Sequence, residues 1–248
     1  MSGMVASSCP YCGCQTQYTE LTIPGLRPMR VPMPCQCARA QHDLIRDEVE
    51  LELNKSMAAF SKVWDRADIP VWFRDVEPDP TYNEAIDSGR AVYLTGRNGR
   101  GKTYTACAIA KSWLMTHTVT KNGMTYCERS LRFLTSQQME SLLKSSWKKW
   151  DVSEEDLFQR WIGVDLLILD DVGKGITDER LAENFFRLLS DRWSDRRPMI
   201  ITSQYKTPDL ARRLCADDNT LDAMLSRLRG WCVGRVLDGP DRRLEMAS

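Results

Sequence analysis

The stretch Gly96-Arg97-Asn98-Gly99-Arg100-Gly101-Lys102-Thr103 constrains this chain more than any other. It satisfies the pattern G-x4-G-K-[ST] in full. An apolar run, Ala91 to Thr95, precedes it, and residues of helical period follow it: Ala106, Ile109, Ala110, Trp113 and Leu114. Strand, glycine loop and helix in that order make an anion cradle. Glycine lets the backbone curl where a β-carbon would obstruct, so that successive N–H groups and the helix N-terminus converge on the β- and γ-phosphates of a nucleoside triphosphate. Lys102 adds a mobile positive charge, and the Thr103 hydroxyl is suited to ligate Mg2+. The contacts expected for ATP are Gly96, Asn98, Gly99, Arg100, Gly101, Lys102, Thr103 and Tyr104. The competing reading is a glycine-rich strand-to-helix turn that holds nothing.

Leu166-Leu167-Ile168-Leu169-Asp170-Asp171 is an apolar strand ending in two carboxylates. Adjacent acids at the tip of a buried strand repel unless one faces a cation and the other faces water or substrate. Asp170 is the candidate for holding magnesium and Asp171 for polarising the attacking water. A helix cap or solvated turn is the alternative, and it loses ground if the two motifs lie on neighbouring strands of one parallel sheet, as expected. At the end of the next buried run stand Thr202-Ser203-Gln204. Gln204 is the candidate for sensing the γ-phosphate or orienting water, against a plain turn residue.

Strand-like and helix-like runs alternate after Pro80, the pattern of an α/β sheet with helices on its faces. Strands are expected at Ala91–Thr95, Val164–Leu169 and Met199–Thr202, while Met124–Cys127 and Leu131–Thr135 compete for another. Gln137–Lys149 reads as helix, Ser153 to Asp156 as a capping box, and Ala182, Phe185, Phe186, Leu189 and Trp193 as a core-facing helical stripe. Residues 1–40 are rich in Cys, Pro and Gly and lack periodicity. Residues 41–78 carry an amphipathic pattern (Ile45, Val49, Leu53, Met57, Phe60) interrupted at Pro70, Pro78 and Pro80. Three regions are therefore expected: a cysteine module at 1–40, a helical connector at 41–78 and the main core at 79–248.

Nine cysteines divide unevenly, with Cys9, Cys12, Cys14, Cys35 and Cys37 crowded near the start. Cys9-x2-Cys12 and Cys35-x-Cys37 make two thiolate pairs, enough for a closed tetrahedral Zn2+ site that would supply the folding energy this core-poor segment lacks. Cys14 and His42 are possible substitutes for one ligand, and redox chemistry through Cys9 and Cys12 is the alternative. Formal net charge is zero, so contact with nucleic acid must come from a local patch. Lys144, Trp147, Lys148, Lys149 and Trp150 mix charge with aromatic faces as single-strand binding requires, or else form a solvated helix face with Trp150 in the core. The opening residues have no basic and apolar leader pattern, and no stretch approaches the roughly 18 apolar residues of a membrane span. A cytoplasmic location without membrane contact is expected.

The chain resembles the DnaC/DnaI-type helicase loaders together with the IstB-like transposition ATPases. The resemblance is carried by Ala67-Asp68-Ile69-Pro70-Val71-Trp72-Phe73-Arg74-Asp75, the two motifs above, Phe185 through Gln204, Leu225-Ser226-Arg227-Leu228 and the tail Gly239-Pro240-Asp241-Arg242-Arg243. It implies an AAA+ P-loop core with a reduced lid, preceded by a zinc-binding amino terminus. Arg227 matches the family's arginine finger, which reaches the ATP of a neighbouring subunit and so implies self-association, and Arg243 would contact nucleotide in place of a lid arginine. Asp171 departs from the glutamate common in AAA+ proteins, and Gln204 stands where many loaders carry asparagine. The implied partners are a DnaB-type replicative helicase and single-stranded DNA. The alternatives are a transposition ATPase that binds duplex DNA and a transposase, and a zinc adaptor that uses nucleotide only as a switch.

Overall fold

The structure is a computed structural model and describes residues 8–21, 29–147, 152–174, 179–215 and 218–241. The chain divides into two compact units, residues 1–57 and 58–248. In the first, a short antiparallel pair, β1 (Tyr18–Leu21) and β2 (Met29–Pro32), leads into the helix α1 (Ala38–Trp64). Cys9 is the one buried apolar residue of this unit among those whose burial is described. The stripe Ile45, Val49, Leu53 and Met57 on α1 is exposed.

The second unit is built on a five-stranded, all-parallel sheet. Its strands are β3 (Ala91–Thr95), β6 (Leu131–Thr135), β7 (Leu166–Val172), β8 (Met199–Ser203) and β9 (Cys232–Val236), in the spatial order β6-β7-β8-β3-β9. Every residue of β3 and β8 is buried, as strands covered on both faces require. The β3–β8 register sets Leu94 against Thr202 and Thr95 against Ser203. One correction follows from this order. The strands that end in the glycine loop and in the paired aspartates are not neighbours, because β8 lies between them.

Both strand candidates of the middle region form. Met124–Cys127 is β5, hairpinned on β4 (Thr118–Lys121) through Asn122-Gly123, and Leu131–Thr135 is the edge strand β6. Asn122 and Gly123 have φ of 53° and 74°, the pair of positive values that a tight two-residue hairpin turn needs. Behind the sheet, α2 (Asn83–Asp87) and α3 (Lys102–Thr116) pack with Phe60, Trp64, Ile69 and Val76. On the other face lie α4 (Ser136–Ser146), α5 (Glu154–Gly163), α6 (Glu179–Ser194), α7 (Thr207–Leu214) and α8 (Asp218–Trp231). Ser153 and Asp156 make the expected capping box at the start of α5. The described residues after β9 add no helix.

The stripe on α6 differs from its expected form. Leu181, Ala182, Phe185, Leu188 and Leu189 are buried, but Trp193 is 44% exposed and the fully buried residue of the last turn is Arg192. Its guanidinium donates to the carbonyls of Trp161, Ile162, Val164, Asp165 and Pro198 at 2.6–3.2 Å. These include the C-terminal carbonyls of α5, which have no partner within their own helix. Burial lowers the Arg192 pKa to about 9. A hydrocarbon would leave those carbonyls orphaned, which is why a charge takes the place in the core. Arg192→Met, which keeps volume and removes the donors, is expected to cost about 3–5 kcal/mol in urea unfolding. A midpoint unchanged from the parent protein would show that the carbonyls find other partners.

Candidate functional site

The glycine loop joins β3 to α3 at the C-terminal edge of the sheet. Gly96, Gly99 and Gly101 have φ of 156°, 79° and 78°, values that L side chains rarely adopt. A Cβ on Gly96 would stand 2.3 Å from the Leu237 carbonyl, and one on Gly99 would meet the Asp241 carboxylate at 2.0–2.2 Å. The residues after β9 therefore run against this loop, an arrangement sealed by the Leu237 N–H on the Thr95 carbonyl at 2.7 Å. Lys102 is buried, and its ammonium donates to the carbonyls of Gly96 at 3.0 Å and Arg97 at 3.1 Å. Tyr104 packs beside the second core cluster, and its hydroxyl accepts the Glu77 N–H at 3.5 Å. Arg97 and Asn98 are exposed on the loop and Arg100 is half-buried.

Across the intervening strand, the Thr103 hydroxyl lies 3.0 and 3.1 Å from the two Asp170 carboxylate oxygens. Asp170 is buried, and burial raises its pKa against the opposing influence of hydrogen bonds from Thr202 and Thr103 and the charge of Lys102. The β7–β8 ladder is irregular between Leu169 and Val172: Leu169 pairs with Ile201 and Val172 with Ser203. One extra residue on β7 sets Asp170 and Asp171 opposite the single residue Thr202. Asp171 takes φ of 58°, with its N–H on the Thr202 hydroxyl at 2.9 Å and its carbonyl accepting from the Ser136 hydroxyl at 2.8 Å. The Asp171 carboxylate is 35% exposed and pairs with Lys174 at 3.4 Å. Thr202 in turn donates to Asp170 at 2.6 Å. Sequence reasoning passed over Thr202 in favour of Gln204, and the pattern of a hydroxyl two residues before that glutamine was the only signal of it.

Gln204 follows β8 in a half-buried turn. That turn is fixed by Ser203, whose hydroxyl donates to the Val172 carbonyl, and by Tyr93 and Thr95, whose hydroxyls both donate to the Tyr205 carbonyl. Arg227 lies on α8, with its guanidinium 5.0 and 5.2 Å from the ring centroids of Phe186 and Trp193 and a hydrogen bond to the Ala223 carbonyl. These contacts are to α6 and its own helix rather than to the glycine loop. Arg243 lies outside the described residues.

In the first unit, the sulfurs of Cys9, Cys12, Cys35 and Cys37 all lie within 4.8 Å of one another. Cys9 and Cys37 are 3.8 Å apart and Cys12 and Cys35 3.4 Å, well beyond the roughly 2.05 Å of a disulfide. Sulfurs at the corners of a zinc tetrahedron with bonds of about 2.3 Å stand about 3.8 Å apart, so the donor set fits Zn2+. Cys14 is exposed and outside the group, although its carbonyl accepts the Cys9 N–H at 2.8 Å. The side chain of His42 lies outside the described residues. The N–H groups of Tyr11 and Cys12 help to lower the Cys9 pKa to about 7.

Of the suspected single-strand patch, Lys144 and Trp147 are described, and both have partners within the chain. Trp147 carries the Arg180 guanidinium 4.0 Å over its ring and donates to Glu154, while Lys144 pairs with Glu140 at 2.6 Å. Lys148, Lys149 and Trp150 lie outside the described residues. No helix among the described residues is long and apolar enough to cross a membrane.

Comparison with known proteins agrees with this geometry. The fold is similar to that of the DnaC helicase loader, at 19% identity and a TM-score of 0.50 over 63% of this chain and 84% of that one. It is equally similar to a primosome component from Streptococcus pyogenes serotype M3, at 22% identity and 0.50 over 73% and 97%. An ATP-binding protein of an insertion sequence in Mycobacterium tuberculosis is 28% identical over 158 residues, 64% of this chain and 57% of the relative's own length. The profile of the IstB-like ATP binding proteins matches residues 44–245. With that match over most of its length, and with the AAA+ P-loop core described above, the chain belongs to the IstB-like ATP binding protein family.

Proposed function

We propose that this chain is an ATP-hydrolysing loader of a DnaB-type replicative helicase. The observation that carries the ATPase part is the Thr103 hydroxyl resting on the buried Asp170 carboxylate, beside a lysine already aimed into the glycine loop. On this reading the loop N–H groups and Lys102 bind the β- and γ-phosphates. The ammonium exchanges the carbonyls of Gly96 and Arg97 for oxygens of greater negative charge. Thr103 and Asp170 would hold magnesium, which when bound neutralises charge developing on the phosphoryl oxygens. Asp171 polarises the attacking water, and Gln204 helps to orient it. Asn98, Gly99, Arg100, Gly101 and Tyr104 line the nucleotide, with Arg243 as a further contact. Arg227 is assigned to the ATP of a neighbouring subunit, so hydrolysis would depend on self-association.

The loader reading rests on the cysteine module, which lies before the part of the chain that the family profile matches. Zn2+ held by Cys9, Cys12, Cys35 and Cys37 would organise this segment, and that module with α1 would grip the helicase. Single-stranded DNA would lie on the AAA+ core and stimulate turnover. A transposition role, with duplex DNA and a transposase as partners, is favoured by the insertion-sequence relative. The two part in a pull-down: a loader captures a replicative helicase, whereas a transposition ATPase assembles on duplex DNA with ATP. A chain that does neither is no loader.

Phosphate release should be measurable with the purified protein and rise with single-stranded DNA. Lys102→Ala is expected to abolish it through loss of nucleotide binding, and Asp171→Asn to lower kcat by about 10²–10⁴ while ATP still binds. Turnover that survives both substitutions would contradict the roles given to Lys102 and Asp171, whereas a parent protein without turnover would be an adaptor that uses nucleotide only as a switch. Elemental analysis should find one zinc per chain, lost in Cys12→Ser together with the ordered amino-terminal unit. A metal-free protein with an unchanged circular dichroism spectrum would refute the zinc module.

A further inference from the structure

The extra residue in β7 creates a problem that a single side chain solves. Where the β7–β8 ladder skips between Leu169 and Val172, the Asp171 N–H has no strand partner, and an unpaired donor at that depth carries the full cost of desolvation. It donates instead to the Thr202 hydroxyl at 2.9 Å. A threonine hydroxyl has one proton, and that proton points to Asp170 at 2.6 Å, in a residue only 1% exposed. The directions are therefore forced: the Asp171 N–H donates to Thr202, and Thr202 donates to the Asp170 carboxylate. Such a chain strengthens each of its bonds by polarising the next.

We propose that Thr202 is the positioning residue of the hydrolytic site, holding the magnesium carboxylate and the water-polarising residue in one fixed relation through its single hydroxyl. The inference rests on the roles given above to Asp170 and Asp171. The residue itself touches no substrate. Its hydroxyl and that of Thr103 both hold the Asp170 carboxylate, and by fixing the Asp171 N–H it supports that residue in the left-handed conformation (φ 58°), where its carboxylate is 35% exposed. The β8 strand separates the two motif strands, and Thr202 pairs with Leu94 of β3 on one side while its hydroxyl binds Asp170 and the Asp171 N–H on the other.

The test compares Thr202→Val, which keeps shape and removes the hydroxyl, with Thr202→Ser, which keeps the hydroxyl. Phosphate release is measured as a function of ATP and Mg2+, and affinity with a fluorescent ATP analogue. Thr202→Val is expected to lower kcat by about 10- to 100-fold, the usual penalty for losing a group that orients a ligand, and to raise the Mg2+ concentration needed for half-maximal turnover. Analogue affinity should stay within about threefold, because the glycine loop and Lys102 are untouched. Thr202→Ser should restore kcat to within a few-fold of the parent. Should Thr202→Val fail to fold, Thr202→Cys, with its weak thiol donor, is read in its place. Parent-like kcat and Mg2+ dependence in the hydroxyl-free variant would overturn the inference and leave the ATPase reading standing. So would a Thr202→Ser variant as impaired as Thr202→Val. Absence of turnover in the parent protein itself would overturn the ATPase reading and this inference with it.

Discussion

The contact of the Thr103 hydroxyl with the Asp170 carboxylate joins residues 67 apart in sequence, and the rest of the site is arranged around it. It requires that the helix after the glycine loop begin at the same edge of the sheet where β7 ends. Only a parallel sheet with helical crossovers delivers both ends to one edge. The sheet order places β8 between the two motif strands, and the buried Thr202 near its end pairs with β3 through its backbone and holds both aspartates through its hydroxyl. Burial raises the pKa of this carboxylate, and two hydroxyls and the nearby Lys102 charge act in the opposite direction.

Much of this was legible from local pattern. The strand Ala91–Thr95 and the glycine loop stand where the motif puts them, because a phosphate cradle is encoded by glycines and neighbours that lie together in sequence. The four cysteines that spacing grouped do converge, since two close pairs leave few other arrangements. The failures share a cause. The neighbour relation of the motif strands, the exposure of Trp193 and the burial of Arg192 depend on which element lies across from which, and periodicity within one element says nothing about that. Arg192 reads as a surface residue until the carbonyls at the end of α5 are placed around it. Thr202 reads as one more residue of a buried strand until a bulge sets two acids against it. The hairpin at Asn122-Gly123 is a different matter, for its signal was present in the sequence and was passed over.

The two units solve the problem of stability in opposite ways. Residues 58–248 bury two apolar clusters on the faces of the sheet, whereas the described part of residues 1–57 buries little beyond Cys9 and gathers four thiols instead. The exposed stripe Ile45, Val49, Leu53 and Met57 belongs to that first unit. The family profile matches from residue 44, so the thiol cluster lies outside the matched part.

On the proposed function, Asp170 and the glycine loop together form one site for a magnesium-bound triphosphate. Calorimetric titration of ATP with and without Mg2+, in the parent protein and in Asp170→Asn, addresses it directly. Mg2+ is expected to tighten ATP binding by about tenfold or more in the parent and to have little effect in the variant, because Asp170 is the one buried carboxylate among the described residues. Affinity indifferent to Mg2+ in the parent, or equally sensitive to it after the substitution, would contradict the account.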